Sequence, residues 1–245
     1  MLLRLEDVDR DRSRQDVEQA IRDDLGWLGL TWDAETLRQS LRDYRPALTR
    51  LMTRSYHCRC TRAMRDLPLP VAAGCPGACL RHGYEDGAVR FRLDAAVVSF
   101  IDRRRGWQHV DLQGVRDPVL VRADGQVSYN LAVVADDIAD GVTEVVRGGD
   151  LLDHTAVQVQ LWQALGAAPP EWLHTPVIVG ADGRKLSKSH GSAHVGALRD
   201  AGATPADVWR TVLPWLGVAN AASLDDALPQ WRPDRIALGP LIQRG

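Results

Sequence analysis

A glycine-flanked loop near the C-terminal end of the chain carries two lysines, Lys185 and Lys188, in the segment GRKLSKSHGS. They are the only lysines present, because 28 of the 30 basic residues are arginine. Unless the pairing is a coincidence, both positions need a compact ammonium group on a flexible stem, which a planar guanidinium does not mimic. Two such groups could follow a triphosphate and stabilise the charge that grows on its α-phosphate as pyrophosphate leaves.

The four cysteines form a second candidate site. Cys58, Cys60, Cys75 and Cys79 follow the spacing C-x-C-x14-C-x3-C. In a chain without a secretion signal, two close cysteine pairs favour thiolate coordination of Zn²⁺ over disulfides, with free buried thiols or a vestigial site as the alternatives. Four cysteine ligands leave no open coordination position, so the predicted zinc is structural.

Three polar residues at the ends of apolar segments form a third candidate group. Glu6 could bind a substrate ammonium group, although carboxylates at strand ends are often merely solvated. Tyr129 could donate a hydrogen bond, and Arg147 could form a bidentate pair with a substrate carboxylate. The alternative for Arg147 is an ion pair with Asp150 or Glu144, which the spacing allows equally.

Composition places these residues in a large globular chain. The 245 residues are 45% hydrophobic and 25% charged, with a formal net charge of −2. No apolar run approaches the ~18 residues that a membrane helix needs. We therefore expect a monomeric cytoplasmic protein that does not bind membranes. The net charge argues against a uniformly basic nucleic-acid binder, although the cluster 103–105 of three arginines could contact a phosphate backbone.

Hydrophobic periodicity predicts alternating strands and helices that position these residues. An N-cap at Ser13 and a proline at the start of the last helix, after Thr204, mark two helix starts. The predicted strands cover 2–5, 88–93, 95–101, 119–122, 127–134 and 176–179, and the predicted helices cover about 13–28, 34–53, 155–165 and 204–216.

This order predicts an α/β fold, an open Rossmann-like parallel sheet with helices on both faces. We expect residues 1–55 to form the first part of this domain and 56–118 a small zinc-containing insertion. Residues 119–200 would then form the second part with the lysine loop, and 201–245 a helical C-terminal region.

Several segments together resemble a known family. GRKLSKS is similar to the second signature of class I aminoacyl-tRNA synthetases. The segments LRLEDVDRDRS, YHCRC, YNLAVVADD, GVTEVVRGGDLL and QALG resemble, in that order, the glutamyl branch of that family. Within the branch, the cysteine segment and the last two long motifs are most similar to the glutamyl-Q tRNA(Asp) synthetase type, which has a catalytic domain without a helical anticodon-binding domain.

The resemblance implies activation of glutamate by ATP, with Mg²⁺, to glutamyl-adenylate. The glutamyl group would then pass to the queuosine base at the wobble position of tRNA(Asp). Residue by residue, the resemblance assigns glutamate contacts to Glu6, Tyr129 and Arg147. It assigns the ATP-phosphate contact and the catalytic role to Lys188, with Lys185 beside it. It assigns zinc binding to Cys58, Cys60, Cys75 and Cys79, where Cys75 stands at a position that is often tyrosine in the family.

The start of the chain departs from the family pattern. Residues 1–9 match what is usually the second strand, and the R-x-A-P-S-P-x-G-like segment and histidine-bearing turn of the first ATP-binding signature are not seen. We expect a complete reading frame to begin roughly 35 residues earlier, the length of one strand–turn–helix plus part of the next strand, and we expect the chain without that segment not to be a competent catalyst. The alternatives are a catalytically inactive relative that binds tRNA or a protein, and a fragment of a glutamyl-tRNA synthetase.

Overall fold

The computed structural model describes residues 1–9, 13, 15–60, 78–94, 96–180, 182–185 and 194–242. Cys75 and Lys188 therefore lie outside the described residues. The described helices are α1 Gln15–Trp27, α2 Arg45–Leu51, α3 Ala78–His82, α4 Tyr129–Ala139, α5 Leu152–Ala164, α6 Val195–Asp200, α7 Pro205–Val212 and α8 Leu224–Ala227. The strands are β1 Leu2–Leu3, β2 Ala34–Glu35, β3 Ser55–Cys58, β4 Ala88–Phe91, β5 Val97–Asp102, β6 Gly106–Asp111, β7 Val119–Val121, β8 Glu144–Gly148, β9 Glu171–Thr175, β10 Ile178–Val179 and β11 Leu241–Ile242.

The strands form several small sheets rather than the single parallel sheet predicted from the sequence. The largest has the order β6-β5-β9-β8, in which β9 runs parallel to both neighbours and β5 and β6 form an antiparallel hairpin. Strands β1 and β2 form a separate parallel pair, and β10 and β11 form another. Strands β3, β4 and β7 are antiparallel. The α/β class is confirmed, and the sheets are mixed.

The segment 127–134, predicted as a strand, contains the start of helix α4. Leu131, Ala132, Val133 and Val134 are all buried, because this helix packs between other elements on more than one side. A helix buried all round reads as a continuous apolar run, and periodicity alone does not separate it from a buried strand. The extended backbone of Ser128 ends the preceding segment, and helical geometry begins at Tyr129.

The helix predicted over 34–53 is also wrong in its first half. Its first two residues form β2, and α2 begins only at Arg45, next to Pro46. Proline is favoured in the first turn of a helix and disfavoured inside one, so Pro46 marks a helix start that divides the predicted segment. The expected strand at 176–179 is reduced to β10, and the preceding strand β9 was not predicted.

Helices α4 and α5 form the centre of the core. Leu131 and Val134 of α4 and Leu161 of α5 pack with Phe91 of β4 and Leu120 of β7, and each is at most 1% exposed. A second cluster, on the other side of α5, contains Phe100 of β5 and Trp172 of β9 in edge-to-face contact. These clusters hold the N-terminal ends of α4 and α5 beside the end of β8, where the candidate residues lie.

The remaining sequence predictions have mixed outcomes. Helix α7 begins, as expected, with Thr204 as its N-cap and a proline in the first turn, and the structure adds a capping box between Thr204 and Asp207. Val17 and Ile21 of α1 are each 45% exposed. The side chains of Arg104 and Arg105 donate to the carbonyl oxygens of residues 236 and 238 near the C-terminus. Among the described residues, no helix is long and apolar enough to cross a membrane.

Candidate functional site

A cleft of about 850 Å³ lies between the edges of β1 and β8, with α4 beside it. Glu6, Tyr129 and Arg147, which the sequence analysis selected separately, all line this cleft. Glu6 comes from the segment after β1, Tyr129 from the first turn of α4 and Arg147 from β8. The fold therefore brings together a carboxylate, a phenol and a guanidinium group that are far apart in the sequence.

Arg147 is surrounded by neutral acceptors. Its Nη1 donates to Gln158 Oε1 at 2.6 Å and its Nη2 to Thr155 Oγ1 at 2.6 Å, while Nε lies 3.3 Å from His174 Nε2. Burial lowers the pKa of the Arg147 guanidinium, because desolvation disfavours its charged form. In the described part of the chain no carboxylate lies within ion-pair distance of it. A partly buried cation whose hydrogen-bond partners are all neutral is well suited to bind a carboxylate ligand.

The two carboxylates that the sequence offered as partners of Arg147 pair with other cations. Asp150 pairs with Lys185, and Glu144 pairs with Arg103. The alternative interpretation of Arg147 as half of a structural ion pair is therefore not what the structure shows.

Tyr129 and Glu6 supply groups of different charge to the same cleft. Burial raises the pKa of the Tyr129 hydroxyl, with Glu6 raising it further and Arg147 acting in the opposite direction. The phenol therefore stays protonated and can donate a hydrogen bond to a ligand. Glu6 is partly exposed and accepts a hydrogen bond from Arg4 Nη2 at 3.1 Å, which leaves oxygen surface facing the cleft.

The segment that carries Glu6 is held against α4 by a network of charges. Arg4 is within 2.7 Å of Asp137 and 3.2 Å of Asp140, and Arg42 contacts Asp140 from a second direction at 2.7 Å. Burial raises the pKa of Asp137, and the nearby Arg4 counteracts this. The motif containing Asp137 therefore acts in the described structure by anchoring β1 to α4.

A buried pair of residues behind Arg147 was not predicted from the sequence. Asp102, at the end of β5, and His174, in β9, are both 0% exposed, and Asp102 Oδ2 lies 2.7 Å from His174 Nδ1. Thr155 and Gln158 of α5, which contact Arg147, were also missed. Asp102 and His174 are 72 positions apart and neither lies in a motif, so the sequence contains no local signal for this contact.

Lys185 lies at a second cleft, of about 510 Å³, which adjoins the first. Both clefts include Leu151. The Lys185 ammonium pairs with Asp150 just after β8 and thereby lowers the pKa of that carboxyl. Gly149 permits this turn to pack closely on β9, because a Cβ there would lie 2.9 Å from the carbonyl oxygen of Thr175. Lys185 therefore lies beside the cleft that contains Arg147.

Three of the four cysteines converge. The Sγ atoms of Cys58, Cys60 and Cys79 lie within 4.8 Å of one another, with 3.6 Å between those of Cys60 and Cys79. Two thiolates on one tetrahedral zinc, each bonded at about 2.3 Å, are separated by about 3.8 Å. Gly87 allows β4 to approach β3 beneath the cluster, since a Cβ there would lie 2.7 Å from the Cys58 carbonyl oxygen. The thiol set and spacing fit a zinc ion.

Comparison with known proteins gives a consistent family match. The family model described as "tRNA synthetases class I (E and Q), catalytic domain" matches residues 1–66 and 81–222. The chain is 42% identical to glutamate–tRNA ligase 2 of Methylorubrum populi over 92% of its own length and 55% of that protein. It is 40% identical to the glutamyl-Q tRNA(Asp) synthetase of Symbiobacterium thermophilum over 84% of its length and 73% of that protein.

Solved structures agree on the fold. A glutamate tRNA ligase from Elizabethkingia meningosepticum, solved in complex with its amino acid, matches with a TM-score of 0.77 at 22% identity, over 98% of this chain and 60% of that one. Glutamate-tRNA synthetase from Elizabethkingia anophelis matches with a TM-score of 0.78 at 22% identity, over 99% of this chain and 61% of that one. The chain spans about half the length of the curated glutamate–tRNA ligases it matches.

Proposed function

Because the chain belongs to the family of class I tRNA synthetase catalytic domains for glutamate and glutamine, we propose that it activates glutamate with ATP and transfers the glutamyl group to a tRNA. The observation that carries this proposal is the cleft shared by Glu6, Tyr129 and Arg147. A ligand with a carboxylate on its side chain and an ammonium group at its other end would match the charges of that cleft.

In this proposal each residue has one role. Arg147 and the protonated Tyr129 hydroxyl hold the side-chain carboxylate of glutamate, and Glu6 attracts its ammonium group. The reacting α-carboxylate attacks the α-phosphorus of magnesium-bound ATP and pyrophosphate leaves, which yields glutamyl-adenylate. Lys185 begins the loop next to this cleft, and we assign the phosphate contact to Lys188, with Lys185 beside it. A cation placed where negative charge develops lowers the barrier more than it strengthens ATP binding.

For the acceptor we propose the queuosine base of tRNA(Asp). Support comes from the sequence motifs and from the match to the Symbiobacterium glutamyl-Q tRNA(Asp) synthetase. The matched region covers a larger share of that protein than of the glutamate–tRNA ligases. The second candidate is transfer to the 3′ end of a tRNA, favoured by the greater identity of the Methylorubrum glutamate–tRNA ligase.

The activation step is tested by glutamate-dependent ATP–pyrophosphate exchange in the full-length protein. Arg147→Met should lower the exchange rate at limiting glutamate by about 10²-fold or more, because it removes a cation that contacts the substrate carboxylate. Arg103→Met is the matched control. Arg103 pairs with Glu144, which lies in the same strand as Arg147, but Arg103 itself does not line the cleft. If Arg147→Met and Arg103→Met exchange equally well, the cleft is not the glutamate site.

The acceptor is tested by charging three purified RNAs: tRNA(Asp) with queuosine, tRNA(Asp) without it, and tRNA(Glu). Transfer to the first alone supports the proposed acceptor, whereas charging of tRNA(Glu) supports the 3′-end alternative. Binding of tRNA with no exchange and no transfer would indicate a binding protein rather than an enzyme.

We also propose that Cys58, Cys60 and Cys79 bind a structural zinc ion, with Cys75 as the fourth ligand. The ion would link β3 to α3 and organise residues 56–118 as an insertion between the two parts of the catalytic domain. Thiolate ligands at all four positions would leave the zinc no coordination site for substrate, so its contribution is to local folding.

A further inference from the structure

Asp102 accepts hydrogen bonds from both sides of a junction between β5 and β9. Its Oδ1 accepts from the backbone N–H groups of Arg104 at 2.9 Å and Arg105 at 2.7 Å. Its Oδ2 accepts from the backbone N–H of His174 at 2.9 Å and faces the ring Nδ1 of the same residue at 2.7 Å. Because backbone N–H groups only donate, both oxygens act as acceptors, and the proton between Oδ2 and Nδ1 belongs to the ring.

The other ring nitrogen of His174 faces the Nε–H donor of Arg147. Its Nε2 lies 3.3 Å from Nε of Arg147 and 3.0 Å from Oγ1 of Thr155. A guanidinium group has five N–H donors and no acceptor, so Nε2 must offer a lone pair to Arg147. A proton on Nε2 would place two N–H groups against each other. The two sides of the ring therefore select one state, the neutral imidazole with its proton on Nδ1.

We propose that His174, fixed in this state by Asp102, is a positioning residue that holds the guanidinium group of Arg147 in place to bind the substrate carboxylate. The inference rests on the proposed function, in which that carboxylate belongs to glutamate. His174 is fully buried, lies behind Arg147 and does not line the cleft, so it acts through Arg147 and not on the substrate.

This arrangement makes ligand binding depend on the protonation of His174. The charged groups that face it are Asp102 from β5, Arg147 from β8 and Arg105 from the turn after β5. Burial lowers the pKa of His174, and the two arginines lower it further, whereas Asp102 raises it. In acid, a second ring proton would point at Nε of Arg147 and displace the guanidinium group, and glutamate affinity would fall.

The first test follows His174 in the wild-type protein. Two-bond ¹⁵N–¹H spectra of the ¹⁵N-labelled full chain report the tautomer of His174 and, as pH is lowered, its titration; the His174→Gln spectrum assigns its signals. We expect the neutral form protonated on Nδ1. Glutamate affinity, measured by calorimetry over the same pH range, should fall with a midpoint at the His174 titration. A proton on Nε2, or an affinity that does not follow the titration, would overturn the proposal.

Two variants separate positioning from general damage. In His174→Asn the amide can still donate to Asp102 but presents no acceptor to Arg147. In His174→Gln the longer side chain places its carbonyl oxygen near the position of Nε2. A hydrogen bond to a charged group contributes about 1.5–3 kcal/mol, so we expect the asparagine variant to bind glutamate about 10- to 100-fold more weakly. The glutamine variant should recover most of the affinity, and the affinity of both for ATP should not change.

The outcomes distinguish this inference from the proposed function. Equal loss of glutamate affinity in both variants, or parallel loss of ATP affinity, would show that His174 acts only in folding and would overturn the positioning role. If the wild-type protein does not bind glutamate, the proposed function fails. The positioning role is then decided by the Arg147 Nε–H resonance, which must shift at the titration midpoint of His174 if the two groups are coupled.

Discussion

Replacing Asp136 should destabilise the protein more than replacing any exposed carboxylate, because Asp136 links α4 to the segment before α2. It is 1% exposed and accepts hydrogen bonds from Gln39 Nε2 at 2.8 Å and from the Tyr44 hydroxyl at 3.1 Å. Arg42 Nε lies 3.4 Å from its other oxygen. Gln39 is equally buried, so its amide has no access to solvent if this partner is lost.

The magnitude follows from the groups that Asp136→Ala leaves without an acceptor. Each buried donor left unpaired costs about 1–3 kcal/mol, and removing one member of a buried charged cluster typically costs about 3–5 kcal/mol in all. Arg42 keeps Asp140 as a partner, so we expect the lower part of this range, about 3 kcal/mol. For a chain of this size, that corresponds to a decrease in Tm of roughly 6–12 °C.

Urea unfolding at pH 7, followed by circular dichroism, measures this loss as a lower midpoint with an unchanged m-value. Tyr44→Phe removes one of the donors and should cost less, about 1 kcal/mol, since Asp136 keeps Gln39. Asp23→Ala is the control, because Asp23 accepts a hydrogen bond on the exposed face of α1 from Gln19. If Asp136→Ala is no less stable than Asp23→Ala, the buried network contributes nothing and the reasoning is refuted.

Four further predictions concern the site and the metal. Protein purified without added metal should contain about one equivalent of zinc by elemental analysis, and Cys60→Ser should lose most of it; a zinc-free protein with all thiols freely titratable would contradict the site. Lys188→Arg in the full-length protein should lower the ATP–pyrophosphate exchange rate by about 10²–10³-fold while weakening ATP binding much less; an unchanged rate would make the lysine pair incidental. Tyr129→Phe should raise the KM for glutamate by about tenfold in the same assay, and an unchanged KM would remove the phenol from the site. Burial lowers the pKa of His174 below its usual 6.5. Between the folded pKa and about pH 6.5 the unfolded chain therefore binds more protons than the folded chain. The free energy of unfolding should fall as the pH drops through this range. His174→Gln should flatten that part of the pH profile measured by urea unfolding.

The sequence by itself determined which chemical groups are present and what they could do. The two lysines in an otherwise lysine-free chain, the clustered cysteines, and the motifs around Glu6, Tyr129 and Arg147 predicted the family that the comparisons confirm. These predictions succeed because their evidence is local: residue type and spacing are fully present in a short segment. The start of α7 was predictable for the same reason, since its cap and its proline are adjacent.

Only the tertiary structure decided how these groups are partnered. Apolar content did not distinguish a strand from α4, because a helix buried on several sides loses its polar face. Spacing allowed Arg147 to pair with Asp150, but the fold gives that carboxylate to Lys185 and leaves the guanidinium group among neutral acceptors. The contact of Asp102 with His174 joins residues 72 positions apart, and it exists only because β5 and β9 lie side by side. A hydrogen bond depends on separations of about 3 Å in space, which a linear sequence does not specify for residues on different elements.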